Sequence, residues 1–291
     1  MWYNYFGDFM ELIIGKTAGF CFGVKNAVEK TIEELKNQKK IYCLGELVHN
    51  KTVTEELIKQ GVVFIDKPED AEGKLIIRAH GIPIETYQKI EECKLEVKDL
   101  TCPKVLHIHN IAEKYKNNNY FIFLVGQREH PETIGTISYC GENSCIIENI
   151  NDIENAIKIY KKSKKEKALI IAQTTFSLEK FNAIVETINY DIKNLEIKNT
   201  ICDATKKRQE ETIEISKKVD TMIIIGGKNS SNSNKLYEIA KKNCKNVVFI
   251  ETKNELDLNV VKEAKKIGIM AGASTPQKSV SEVVEIIKKI W

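Results

Sequence analysis

The stretch Asp99–Asn110, DLTCPKVLHIHN, decides how the rest of the chain is read. Pro103, directly after Cys102, suits a first helical position, because its missing N–H would have no partner there. Val105, Ile108, Ile111 and Ala112 then recur at helical spacing. Cys102 therefore stands where a helix starts. Gly19–Glu29, GFCFGVKNAVE, puts Cys21 in the same position, and Thr200–Glu210, TICDATKKRQE, does so for Cys202.

The chain beyond each cysteine also repeats. A strand pattern comes after each helix, at Ile41–Leu44, Tyr120–Val125 and Thr221–Ile225. Each ends in a polar loop: GELVHN (45–50), GQREHPE (126–132) and GGKNSSNSN (226–234). His49, His130 and Ser230 each lie 28 residues beyond their cysteine (21 to 49, 102 to 130, 202 to 230). Later strands end in AHGIP (79–83), QTTFS (173–177) and AGASTPQ (271–277), which carry His80, Thr174 and Ser274. Thr174 and Ser274 are each 72 residues past their cysteines and His80 is 59 past its own, so the first unit is shorter.

Self-similarity of this kind marks a repeat architecture. Alternating strands and helices predict parallel βαβ units, whose ligands bind at the carboxyl ends of the strands. The expected fold is three pseudo-repeated α/β lobes with parallel sheets, over residues 10–98, 99–198 and 199–291. They would gather three thiols and six polar loops at one centre. Residues 1–9, MWYNYFGDF, read as an N-terminal extension outside the fold, with Met10 as an alternative start.

The chain has 291 residues, 42% hydrophobic and 29% charged, as in ordinary globular proteins. A net charge of +3 gives no footprint for nucleic acid. No run approaches the roughly 18 apolar residues of a membrane span, and the aromatic N-terminus is not a secretory leader. Eight cysteines without a leader predict a reducing, cytoplasmic setting with thiols free or metal-bound.

A helix N-terminus favours thiolate, the form that binds metal. Three protein ligands leave a coordination position open, as catalytic metal sites do. Thiolate-only ligation selects zinc or an iron–sulfur cluster, and the residues alone leave that choice open. Cys43, Cys93, Cys140, Cys145 and Cys244 have no counterpart across the units and read as packing. His49, His80 and His130 could cradle an anion. The Ser- and Asn-rich loop 226–234 ahead of a helix, with Ser274, adds the composition of a diphosphate pocket. No P-loop sequence is present, which argues against nucleotide hydrolysis. Glu132, in the HPE motif that ends loop 126–132, is the candidate general acid, with Thr174 and Gln173 placed to orient its proton. His107 and His109 are two apart on a helix, do not share a face and make no metal pair. The basic run Lys158–Lys167 reads as a solvated helix end, or more sharply as a dock for an acidic electron donor.

In combination the motifs GFCFGV (19–24), ELVHN (46–50), RAHGIP (78–83), TCP (101–103), HPE with the following GT (130–136), QTT (173–175), ICDAT–RQE (201–210), KNSSNSN (228–234) and AGAST (271–275) resemble the 4-hydroxy-3-methylbut-2-enyl diphosphate reductase family. The resemblance runs from about residue 10 to the C-terminus. It implies three lobes around a central iron–sulfur cluster, one 4Fe–4S unit held by Cys21, Cys102 and Cys202 with one open iron for the substrate hydroxyl. It implies that His49, His80, His130, Ser230, Ser231, Asn232 and Ser274 hold the diphosphate, and that Glu132 delivers protons with help from Thr174. The implied reaction is reductive removal of an allylic hydroxyl, giving isopentenyl and dimethylallyl diphosphate. Electrons would come singly from reduced ferredoxin or flavodoxin, with no nucleic acid or membrane involved. Enzymes similar to quinolinate synthase share the three-repeat, three-cysteine plan without net redox, and a zinc-stabilised anion-binding protein would be colourless.

Overall fold

The computed structural model describes residues 3–7 and 10–290. In chain order, β1 (Tyr3–Gly7) and β2 (Met10–Ile14) precede α1 (Phe22–Leu35), β3 (Ile41–Leu44), α2 (Lys51–Gln60), β4 (Val62–Ile65), β5 (Leu75–Ile77), α3 (Ile84–Glu92) and β6 (Val97–Asp99). Then come α4 (Pro103–Asn117), β7 (Phe121–Val125), α5 (Pro131–Cys140), β8 (Ser144–Ile147), α6 (Ile153–Ser163), β9 (Ala168–Ala172), α7 (Leu178–Asp191) and β10 (Leu195–Ile197). The chain continues with α8 (Asp203–Ser216), β11 (Thr221–Ile225), α9 (Ser231–Asn243), β12 (Asn246–Ile250), α10 (Leu258–Glu263), β13 (Lys266–Ala271) and α11 (Gln277–Ile290). Two compact units result. One comprises residues up to 25, 48–57 and those from 203 on; the other comprises 26–47 and 58–202.

The second unit holds two four-stranded parallel sheets, ordered β4-β3-β5-β6 and β8-β7-β9-β10. The central strands β7 (FIFLV) and β9 (ALIIA) are buried along their whole length. Such unbroken apolar runs belong to parallel sheets covered on both faces. Side chains alternate across the sheet. Phe121, Phe123 and Ile170 pack with Phe181, Ile184 and Ile188 of α7, while Ile122, Leu124 and Leu169 meet Ile108 and Ala112 of α4.

The first unit holds one five-stranded sheet, ordered β1-β2-β13-β11-β12 and parallel except for β1 against β2. Ile223, Ile225, Ile267 and Ile269 face Val280, Val283 and Ile287 of α11. Met222, Ile224 and Met270 face Ile215 of α8 and Leu236 of α9.

The strand order places β2, Met10–Ile14, in the third sheet beside β13, although chain order puts it with the first lobe. The repeat explains this. β6 leads to Cys102 and pairs with β5, β10 leads to Cys202 and pairs with β9, and β2 leads to Cys21 and pairs with β13. Two sheets thus end in the strand that leads to the next cysteine, and in the five-stranded sheet that strand, β2, is covered in turn by β1. β6 and β10 are half-exposed edge strands of only three residues, VKD and LEI, too short for their sequence to mark a strand. Residues 3–7 of the expected extension pair antiparallel with β2; the other residues of that segment lie outside the described ones.

Candidate active site

The three cysteines share one backbone arrangement. Each peptide N–H donates at 3.0 Å to a carbonyl just beyond a sheet strand: Cys21 to Ala273, Cys102 to Ala79 and Cys202 to Thr174. Each residue then opens a helix, and the Cys102 thiol takes no part in capping. All eight cysteines are free thiols, and these three are partly exposed. Burial pushes the Cys43, Cys140 and Cys145 thiols up to about 12 and raises that of Cys244. Those four hold their protons and make poor ligands, whereas partly exposed thiols at helix starts, as Cys21, Cys102 and Cys202 are, have the chemistry an iron–sulfur group would need. The register also corrects the spacing. The carbonyl that accepts from each cysteine belongs to Ala79, Thr174 or Ala273, so His80 corresponds to Thr175 and Ser274, one position beyond Thr174.

In the first unit, the Cys21 loop is tied to α8. The Glu211 carboxylate accepts from Lys16 N (2.7 Å), Thr17 N (2.9 Å) and Thr17 Oγ1 (2.5 Å). The buried Arg208 donates to Gly19 O at 2.7 Å. Gly19 sits at φ +113, a backbone that L side chains resist. Arg208 lies in the RQE part of the motif at 201–210 but carries no role there, and Glu211 lies just outside it. Their signal is present only as the polar run RQEE inside a helix.

The same unit gathers one polar cluster. Ser230 caps α9, its Oγ accepting from Ser233 N. Ser231 and Asn232 form the first helical turn, so the helix starts four residues earlier than the sequence pattern implies. Serine capping drives that start. Asn232 is only 3% exposed, and its Oδ1 and Nδ2 have no partner. Buried amides are normally paired, so this pair of atoms is aimed at something the cluster is built to receive. Ser274 Oγ donates to His49 O at 3.0 Å. Asn50, not His49, caps α2, through Oδ1 to Val53 N. A Cβ at Gly227 would meet His49 O at 2.6 Å. Gly227→Ala is therefore expected to displace the His49 loop and raise KM for a diphosphate substrate about tenfold, with a smaller effect on kcat. Steady-state kinetics with far-UV circular dichroism as a fold control checks this.

In the second unit, His130 caps α5, and its Nδ1 accepts from Glu132 N at 3.1 Å. That bond leaves Nε2 to carry the hydrogen of the neutral ring. The His80 and His130 rings lie 5.4 Å apart, edge to face. Gly81, at φ +73, turns the chain just after His80, against the His109 ring. His109 itself is buried and stacked on Tyr139 at 4.1 Å, burial holding it near pKa 4, while His107 is exposed. The two therefore face opposite ways, as expected.

Glu132 is 2% exposed. Thr174 grips it twice: its backbone N donates to Oε1 and its Oγ1 to Oε2, both at 2.6 Å. Burial pushes the carboxyl up to about 7, and the two Thr174 bonds oppose that rise. A carboxyl poised there can hold and release a proton near neutrality. Gln173 is committed elsewhere: Oε1 accepts from Gln127 N (3.0 Å) and Nε2 donates to Thr175 Oγ1 (2.8 Å). It orients the loops and does not touch Glu132. Among the described residues, no helix is long and apolar enough to cross a membrane.

Known proteins share this sequence and fold. The sequence profile of a family described as LytB protein matches residues 12–288. A 4-hydroxy-3-methylbut-2-enyl diphosphate reductase of Thermoanaerobacter sp. (strain X514) is 44% identical over 285 residues, covering 96% of this chain and 97% of that protein. The solved structure of the E-1-hydroxy-2-methyl-but-2-enyl-4-diphosphate reductase from Plasmodium falciparum superposes with a TM-score of 0.89 at 31% identity, covering 96% of this chain and 88% of the other. A second solved structure, of (E)-4-hydroxy-3-methyl-but-2-enyl diphosphate reductase, the terminal enzyme of the non-mevalonate pathway, gives a TM-score of 0.70 at 40% identity, covering 96% and 99%.

Proposed function

The chain belongs to the LytB protein family, and from that premise we infer the work of its site residues. It is an oxidoreductase of the non-mevalonate isoprenoid pathway, acting on 4-hydroxy-3-methylbut-2-enyl diphosphate at the terminal step. The allylic C–O bond breaks, two electrons and two protons are taken up, and the oxygen leaves as water. Isopentenyl and dimethylallyl diphosphate are the products. The enzyme works in the cytoplasm.

Cys21, Cys102 and Cys202 hold one 4Fe–4S cluster, leaving one iron without a protein ligand. When bound, that cluster supplies the electrons and a Lewis acid for the departing hydroxyl. His49, Ser230, Ser231, Asn232 and Ser274 bind the diphosphate, as do His80 and His130. Anchoring the substrate by its charged end orients the reacting end. The unpartnered amide of Asn232 supports a ligand there. Glu132 delivers a proton from its buried carboxyl.

The observation that carries this reading is the double use of Thr174. Its N–H and hydroxyl hold Glu132, while its carbonyl holds the Cys202 peptide. The acid and a cluster ligand are thereby fixed to one residue. Anaerobic purification with iron and sulfide analysis tests the reading. About four irons and four sulfides per chain, with turnover of the allylic diphosphate alcohol by a chemical reductant, is the expected result. A colourless zinc protein after cluster reconstitution overturns it.

Thr174→Val keeps the shape and the backbone bond but removes the hydroxyl donor. A bond to the carboxylate favours its ionised form, so its loss raises the Glu132 pKa. The alkaline limb of the kcat–pH profile is expected to move up by about one unit, from a bond worth about 1.5 kcal/mol. An unmoved limb removes Thr174 from the proton-handling role.

A further inference from the structure

The clasp by which Thr174 holds Glu132 has two counterparts. Thr17, four residues before Cys21, donates both its backbone N–H and its Oγ1 to Glu211. Thr101, the residue before Cys102, does the same to Asp99: its N–H reaches Oδ1 at 2.8 Å and its hydroxyl reaches the same oxygen at 2.6 Å. Asp99 closes β6 and is held from its other side too, since Tyr87 of α3 donates to Oδ2 at 2.7 Å. Bonds at both oxygens fix the carboxylate, and with it the rotamer of Thr101, which is buried.

A fixed hydroxyl fixes the methyl group as well. A Cβ built on Gly81 would lie 3.3 Å from Thr101 Cγ2, 3.5 Å from Val105 Cγ1 and 3.0 Å from His109 Cε1. The turn that follows His80 therefore rests on Thr101 and on the first two turns of α4. Directly after Thr101, Cys102 N donates to Ala79 O, the carbonyl directly before His80. Thr101 stands where the loop carrying His80 meets the helix start carrying Cys102.

We propose that Thr101 is a positioning residue with two separable tasks: its hydroxyl, clasped by Asp99, holds Cys102 for the cluster, and its methyl group holds the His80 loop for the diphosphate. The proposal rests on the reading of Cys102 as a cluster ligand and of His80 as a diphosphate contact. Groups behind a metal ligand set its orientation, and losing one typically costs about 10–100-fold in metal affinity. A loop already held in its binding conformation lowers the ordering cost of binding. One residue that serves both keeps the anchored end of the substrate in register with the reacting end.

Two substitutions separate the tasks. Thr101→Val keeps the branched shape and a methyl group against Gly81 but removes the hydroxyl. Thr101→Ser keeps the hydroxyl and removes the methyl group. In Thr101→Val, a ferrous chelator should strip iron from the cluster-loaded enzyme about tenfold faster, the scale of a hydrogen bond to a charged group, with KM for the allylic diphosphate alcohol within about twofold. In the metal-free protein, exchange of the Cys102 amide hydrogen, read by mass spectrometry, should quicken by a similar factor. Thr101→Ser should raise KM about fourfold, the scale of one buried methyl group, and leave iron loss and amide exchange within about twofold. Asp99→Ala should behave as the valine variant does, and Asp99→Asn, whose oxygen still accepts, should restore slow iron loss. Urea unfolding of each variant reports any general loss of stability. If both Thr101 variants change KM and iron loss together, in step with urea stability, Thr101 is a packing residue and the proposal fails. It fails equally if the loaded variants change neither quantity. Absence of a cluster in the unmodified protein overturns the reading of Cys102 as a ligand, and the proposal with it.

Discussion

Glu132→Gln is expected to lower kcat by about 10²–10⁴ while leaving KM within a few-fold, the range lost when a positioned general acid is removed. The substitution is nearly isosteric. The glutamine oxygen can still accept from Thr174 N, so the loop stays where the structure has it. What is lost is the proton. The carboxyl is poised at about 7, so the protonated acid predominates below that pH and falls tenfold per unit above it. The unmodified enzyme should show an alkaline decline in kcat starting near pH 7, and the variant should lack it. Near-normal turnover in the variant would end the assignment.

The same shift has a consequence for stability. The folded pKa lies above the ordinary carboxyl value of 4.5, so the folded state binds the proton more tightly than the unfolded chain. The resulting stabilisation is fully present below pH 4.5 and is lost as pH rises through about 7. The difference, roughly 2.5, corresponds to about 3 kcal/mol. Glutamine carries no such charge, so the variant should gain stability relative to the unmodified protein between pH 5 and pH 8 in urea unfolding.

Cys102→Ser is expected to abolish the cluster, with iron content and the absorption at about 400 nm falling to background and turnover below about 1%. A serine hydroxyl does not ionise near neutrality, so a hard and largely protonated oxygen replaces the thiolate. Cys21→Ser and Cys202→Ser should behave alike, because all three cysteines make the same backbone bond at the start of a helix. Cys43→Ser and Cys140→Ser should keep the cluster. Their thiols are buried and held protonated, so any loss in those variants is one of packing stability. A Cys102→Ser protein with full iron and an unchanged spectrum would remove Cys102 from the ligand set.

Much of this is legible in the chain. Pro103 after Cys102 announces a helix start, and the repeated spacing from cysteine to His49, His130 and Ser230 announces three units. Buried strands such as FIFLV announce parallel sheets. These are local signals: ring sterics, capping and side-chain periodicity act within a few residues. The start of α9 lies four residues ahead of its sequence pattern because SNSN suits a loop and a capped first turn equally. β6 and β10 escape a sequence reading because three half-exposed residues are too few to establish a period.

The sequence by itself determined the three cysteines at helix starts, the polar loops after the strands and Glu132 in the HPE motif of one of them. Tertiary structure decided the rest. It placed β2 beside β13, since hydrogen-bonding partners in a sheet are chosen by packing across hundreds of residues and not by chain order. It packed Gly227 against His49 O and bound Arg208 to Gly19 O, approaches that no local pattern encodes. It also decided the protonation of Glu132. A glutamate at a helix start is ordinarily an exposed, ionised residue. Here burial excludes water from it, and that desolvation, outweighing the two bonds donated by Thr174 42 positions away, turns it into an acid poised near neutrality.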